Sequence, residues 1–229
     1  MRGIVTFDTF RAVIGHATSD ARTPDLIVAT GDLVQDETRA GYELFKNVLA
    51  PLDTPVLCIP GNHDAPNIML DVLNDAPFQV KGSYQNKGWS LIMLSSFARG
   101  GDAGRLDSAE LKRLSATLDR HADLHALICL HHQPVPMGSR WLDGVGLCNP
   151  QDLLDIVDAS SNVRGILWGH VHQASDRQRN GVRLMSTPST CSQFLPNSDS
   201  FALDSRPPGF RWLDLRPDGS IDSAVTWLD

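Results

Sequence analysis

The amino-acid sequence predicts an α/β fold whose sheet is covered on both faces, and three observations lead there. Short, nearly continuous apolar runs recur within 25–32, 54–64, 89–96, 126–132, 165–172 and 182–190 of the 229 residues. Several intervening stretches carry apolar residues three and four apart, as helices do. Residues able to bind metal gather just after the runs, where an open α/β sheet binds its ligands.

Taken in chain order, the first element is a helix. Phe7, Phe10, Val13, Ile14 and Ala17 share one helical face, Thr6 is an acceptable N-cap, and Asp8 in the first turn suits the helix macrodipole. A rival reading makes Ile4 to Phe7 a short apolar strand ended by Asp8; the helix is preferred. The run at 25–32 ends in Thr30-Gly31-Asp32, and Asp36 is read as the cap of a helix starting near Glu37 with Tyr42, Leu44, Phe45, Val48 and Leu49 on its face. The run at 54–64 ends in Gly61-Asn62-His63-Asp64. After the run at 89–96, Leu106, Leu111, Leu114 and Leu118 mark another helix. The run at 126–132 closes on His131-His132, and Asn149-Pro150 is a cap and first turn for a helix carrying Leu153, Leu154, Ile156 and Val157. The run at 165–172 closes on Gly169-His170-Val171-His172. The tail reads as two strands joined by Pro217-Asp218-Gly219.

Composition narrows the function. An apolar fraction of 41% fills one large core, and a net charge of −7 without a basic cluster argues against nucleic acid or an anionic membrane as the partner. Cys58, Cys129, Cys148 and Cys191 show no C-x-x-C spacing, so no disulfide framework and a reducing, cytoplasmic compartment are expected. No run approaches the ~18 apolar residues of a membrane span, and no signal peptide is visible.

Each motif has a plain reading beside a chemical one. Asp32 can offer two carboxylate oxygens to a pair of cations, or cap a helix. Asn62 can sit in a left-handed turn, or lend a neutral amide oxygen to a metal, with His63 beside it as a general acid. Alternation in a strand sends His131 and His132 to opposite sides, so one would ligate and the other pack behind it. The i, i+2 spacing of His170 and His172 puts both rings on one side of an extended segment, for one metal or two neighbouring ones. His16, His121 and His125 lack such a setting. Asp, Asn and His donors without Cys suit Mn, Fe or Zn. No phosphate-cradling glycine loop or serine elbow appears, and Ser189 reads as a turn residue lining the pocket.

In this order, the motifs Gly31-Asp32, Gly61-Asn62-His63-Asp64, His131-His132 and Gly169-His170-Val171-His172 resemble the calcineurin-like metallophosphoesterases. The wider stretches TGDLVQDE, IPGNHD, LHHQPVPMGSRWLD, GHVHQ, TPSTCSQFLP and PGFRWLDLRPDG are similar to the bacterial class III cyclic-nucleotide phosphodiesterases. The resemblance implies one domain over 1–229, a four-layer α/β/β/α sandwich with a two-metal rim, and hydrolysis of a phosphodiester, most often 3′,5′-cyclic AMP to 5′-AMP by a metal-bridging hydroxide. By motif, Asp32 would bridge both divalent ions, Asn62, His131 and His170 would complete one, and His172 would bind the other. Asn62, His63 and His172 would face the substrate, and His63 would protonate the leaving oxygen.

The family's opening Asp-x-His motif has no match, since Phe10 stands where His should be. The resemblance therefore implies a first strand missing from this chain, an N-terminally incomplete domain and a weak second metal site. Met1 as a misassigned start is the expectation. The alternatives are a broader phosphodiesterase or phosphomonoesterase, with Trp141 and the loop at 187–191 shaping the pocket, and a weak or inactive homologue. The partner is a small phosphodiester or cyclic nucleotide, and a homodimer stays open.

Overall fold

The computed structural model describes residues 3–19 and 23–228 and stacks two sheets between two helical layers. The chain enters through α1 (Thr6–Ser19), β1 (Ile27–Ala29), α2 (Arg39–Leu49), β2 (Val56–Cys58), α3 (Pro66–Val72) and β3 (Phe78–Gln79). The three strands pair parallel in the order β1-β2-β3. The larger sheet uses β4 (Gly82–Asn86), β5 (Trp89–Met93), β6 (His125–Leu130), β7 (Val163–Trp168), β8 (Ser175–Arg179) and β9 (Val182–Ser186), ordered β4-β5-β6-β7-β9-β8. Its four inner strands are parallel, and the antiparallel β4 and β8 close its edges. Helices α4 (Ser108–Arg120), α5 (Arg140–Asp143) and α6 (Pro150–Ala159) connect these strands. Two hairpins finish the chain, β10 (Gln193–Phe194) with β11 (Leu203–Asp204) and β12 (Gly209–Leu215) with β13 (Ile221–Trp227).

The unbroken apolar runs follow from this stacking. In β6, Ala126, Ile128 and Leu130 pack under α4 and α6, while Leu127 and Cys129 face the other sheet. Leu57 and Ile59 meet them from the small sheet, whose opposite face gives Val56 and Cys58 to α2 and α3. A strand sandwiched in this way has no polar side to show.

Helix starts follow local chemistry, with two corrections. Thr6 is the first helical residue, and the amide of Asp8 bonds to Val5 O at 3.1 Å, so the cap position falls on Val5. Asp8 sits in the first turn, exposed, as the helical reading expected. The second helix starts at Arg39, capped by Thr38, whose hydroxyl accepts from Gly41 N at 3.1 Å; Asp36 instead accepts from the Thr38 amide and hydroxyl. Asp107 caps α4 through Glu110 N at 2.8 Å, and Pro150 opens α6. No helix among the described residues is long and apolar enough to cross a membrane.

A cavity of about 880 Å³ opens between β1 and β12 beneath α1. Phe10, Val13 and Ile14 roof it, Val28 and Leu213 flank it, and Leu91 lies on its floor. Among the described residues, β1 has no strand partner on the side away from β2, nor β12 on the side away from β13. The cavity reaches Asp32 and His172 at the strand ends.

Candidate metal centre

Four loops carry the sequence-marked residues to one rim, each leaving the carboxyl end of a strand: Asp32 after β1, Asn62 and His63 after β2, His131 after β6, and His170 and His172 after β7. Their approach depends on two glycines. A Cβ on Gly31 would stand 2.4 Å from His131 Nδ1, and one on Gly61 would stand 2.1 Å from Asp32 Oδ1. Only glycine lets these backbones come so close.

His131 lies at the middle of the group, 1% exposed. Its Nδ1 meets Thr30 O at 2.7 Å, which makes that nitrogen the donor and leaves an Nε2 lone pair. Around Nε2 stand Asn62 Oδ1 at 3.2 Å, His170 Nδ1 at 3.2 Å and Asp32 Oδ2 at 3.3 Å. Electron-rich atoms so arranged repel one another unless positive charge lies among them. His170 Nε2 is buried with no hydrogen-bond partner. The donor set of carboxylate, amide and imidazoles fits a divalent cation of the Mn, Fe or Zn kind.

Electrostatics point the same way. Burial raises the Asp32 carboxyl, but the neighbouring His131 outweighs it and holds Asp32 well below the carboxylate range. Burial lowers His131, and Asp32 reverses that, raising it. The carboxylate thus draws positive charge to this spot. Burial, then His131 and His132, pushes His170 well below its ordinary value, and burial takes His172 down to about 4. Both are neutral imidazoles at pH 7, with lone pairs to give.

His131 and His132 lie in a bend just past β6, and their rings sit 4.8 Å apart instead of turning to opposite sides as strand alternation predicts. His132 lies edge-on to His131, with Nδ1 against Ser96 Oγ at 2.7 Å and Nε2 against Asp102 O at 3.1 Å. His131, His132 and His170 bring ligand atoms within 4.8 Å of one another, but both nitrogens of His132 are engaged elsewhere. Asn62 and Asp32 therefore complete the group better than His132 does.

The extended reading of Gly169-His170-Val171-His172 is wrong. His170 and His172 have φ of 60° and 46°, flanking a buried Val171, so a left-handed twist rather than strand pleating aims the rings. His170 meets His131, whereas His172 gives Nδ1 to Ser192 O at 2.8 Å and stacks on Phe194, centroids 4.1 Å apart at 9°. Asp32 shares the left-handed backbone, at φ 54°. Asn62, for which a left-handed turn is the plain reading, has no positive φ. Three strained residues at one rim are the pattern of a functional site.

His63 is half-buried; its backbone N donates to Asp32 Oδ1 at 3.0 Å, and its Nδ1 lies 3.0 Å from Gln35 Nε2. Ser189 lies in irregular backbone after β9, its hydroxyl accepting from Cys191 N at 3.1 Å, and Trp141 packs edge-on against Phe194 and Phe201. Sequence reasoning missed the framing residues. Asp64 accepts from Gly61 N at 2.8 Å, Leu33 N at 3.1 Å and the Tyr42 hydroxyl at 2.9 Å, and burial raises its carboxyl. It ties the Asn62 loop to the Asp32 loop. Its signal was an acid following a Gly-Asn-His turn, with a Tyr on the next helix.

The sequence and the fold have counterparts in known proteins. The model of the calcineurin-like phosphoesterase family matches residues 4–174. The 3′,5′-cyclic adenosine monophosphate phosphodiesterase CpdA of Pseudomonas aeruginosa is 36% identical over 99% of this chain and 83% of its own length. The CpdA of Escherichia coli K12 is 37% identical over 97% and 82%. Among solved structures, a dimetal phosphatase from Danio rerio superposes with a TM-score of 0.66 at 12% identity, covering 96% of this chain and 88% of that one.

Proposed function

The chain belongs to the calcineurin-like phosphoesterase family, and we propose that it hydrolyses 3′,5′-cyclic AMP to 5′-AMP with divalent metal at the His131 rim. The observation that carries the reading is His131 Nε2 facing Asp32, Asn62 and His170 at 3.2–3.3 Å. These four would hold one ion. Asp32 again, with His172, would hold a second, more weakly for want of donors. Mn and Fe suit the set, with Zn as the other candidate. Bound there, divalent ions supply charge neutralisation for a phosphate and an acidic water.

The remaining chemistry falls to the chain. Asn62, His63 and His172 face the phosphate. With Nδ1 held by Gln35, His63 has Nε2 left to donate a proton to O3′ as the phosphorus–O3′ bond breaks. One water is consumed, and the phosphate stays on the 5′ oxygen. Four free cysteines, two of them buried, support a cytoplasmic setting.

The test is turnover of cyclic AMP by chelator-stripped protein given Mn²⁺, Fe²⁺ or Zn²⁺ in turn, with product identified by chromatography. Metal-dependent 5′-AMP formation is expected. Hydrolysis of p-nitrophenyl phosphate but not of cyclic AMP would replace this reading with a phosphomonoesterase.

A further inference from the structure

We propose that the hairpin of β10 and β11, with Trp141, forms a subsite for the nucleobase of the substrate. The inference rests on the phosphodiesterase reading and deepens it. Phe194 is stacked on His172 and held edge-on by Trp141 at 5.2 Å and Phe201 at 5.3 Å, so an aromatic cluster borders the rim directly. Leu203 stands opposite Phe194 in the ladder and shares its face.

Exposure singles out this hairpin. Among the described residues, three of the five exposed large hydrophobics, Leu195, Phe201 and Leu203, fall within it or its turn. Phe201 is 37% and Leu203 40% exposed, although both neighbour a ring that is only 8% exposed. The turn is also anchored. Asp199 pairs with Arg140 at 3.2 Å, and Ser198 N donates to Ser139 Oγ at 3.3 Å, fastening it to the segment that carries Trp141.

An apolar, aromatic face kept in water beside a phosphate site fits a ligand that is anionic at one end and flat and apolar at the other. A cyclic nucleotide is such a ligand, with its base one ribose away from phosphorus. Bases stack on aromatic side chains largely regardless of identity. The subsite would therefore distinguish nucleotides from bare phosphodiesters more than one base from another.

The test is equilibrium dialysis of Mn²⁺-loaded protein against 5′-AMP and against ribose 5-phosphate, which differ by the base. Wild type, Phe201→Ala and Leu203→Ala are compared; both side chains are exposed enough for the variants to fold. Phe201→Ala is expected to weaken 5′-AMP binding roughly tenfold and leave ribose 5-phosphate within about twofold, with Leu203→Ala intermediate. Equal preference of wild type for the two ligands, or an unchanged preference in Phe201→Ala, would overturn the subsite. Because binding is measured, a wild type that binds 5′-AMP but turns over no cyclic AMP would sink the hydrolysis reading alone.

Discussion

Tyr42 donates its hydroxyl to Asp64 Oδ1 at 2.9 Å and accepts the amide of Ala65 at 2.7 Å, which fastens a helix to the turn carrying Asn62 and His63. Tyr42→Phe keeps the ring, removes one of several hydrogen bonds to the buried Asp64 and leaves the part-buried Ala65 amide without this acceptor. We expect a loss of about 1–3 kcal/mol, seen as a lower urea midpoint with unchanged slope. A variant as stable as wild type would show that Asp64 holds the turn without help.

Gly61→Ala separates close approach from ordinary turn preference. The added methyl would lie 2.1 Å from Asp32 Oδ1 and 2.7 Å from His131 Cε1. Far-ultraviolet circular dichroism should report a folded chain, while metal content and activity fall below detection. Retained metal would mean that the two loops part without losing the site.

His131 and His132 should behave differently despite their adjacency. His131→Ala removes the atom on which Asp32, Asn62 and His170 converge and should abolish metal binding. His132→Ala removes a support hydrogen-bonded to Ser96 and Asp102, so metal stoichiometry should persist with affinity roughly 10–100-fold weaker. Elemental analysis after dialysis decides; equal loss in both variants would make His132 a ligand.

Asp8 and Asp32 form the complementary pair. Asp8 is exposed in the first turn of a helix, so Asp8→Ala should leave metal content and turnover unchanged. Asp32→Ala should remove both. Metal loss on Asp8→Ala would return that residue to the site and undo the helical reading of its role.

Much of this was legible in the chain because its strands are buried on both faces: runs such as Leu57 to Ile59 and Ala126 to Leu130 have no polar alternation to confuse. The edges were not. The five residues of β8 are all polar, and β3, β10 and β11 are two residues each, too short to show a period. At the rim, residue types could be read but backbone handedness could not. Nothing in the spacing of His170 and His172 distinguishes a pleated segment from a left-handed one, and the second is what the molecule uses. The supports by Thr30, Gln35, Ser96 and Ser192 join residues 20 to 101 positions apart in sequence, which no local pattern can show.

The positive φ values of Asp32, His170 and His172 also limit which amino acids these positions accept. Asp, Asn and His are the side chains that enter left-handed backbone most readily after glycine, so chemistry and conformation select overlapping sets. A library randomised at these three codons and screened only for soluble expression should already be enriched in Gly, Asn, Asp and His. Val and Ile should be scarce there before any substrate is offered.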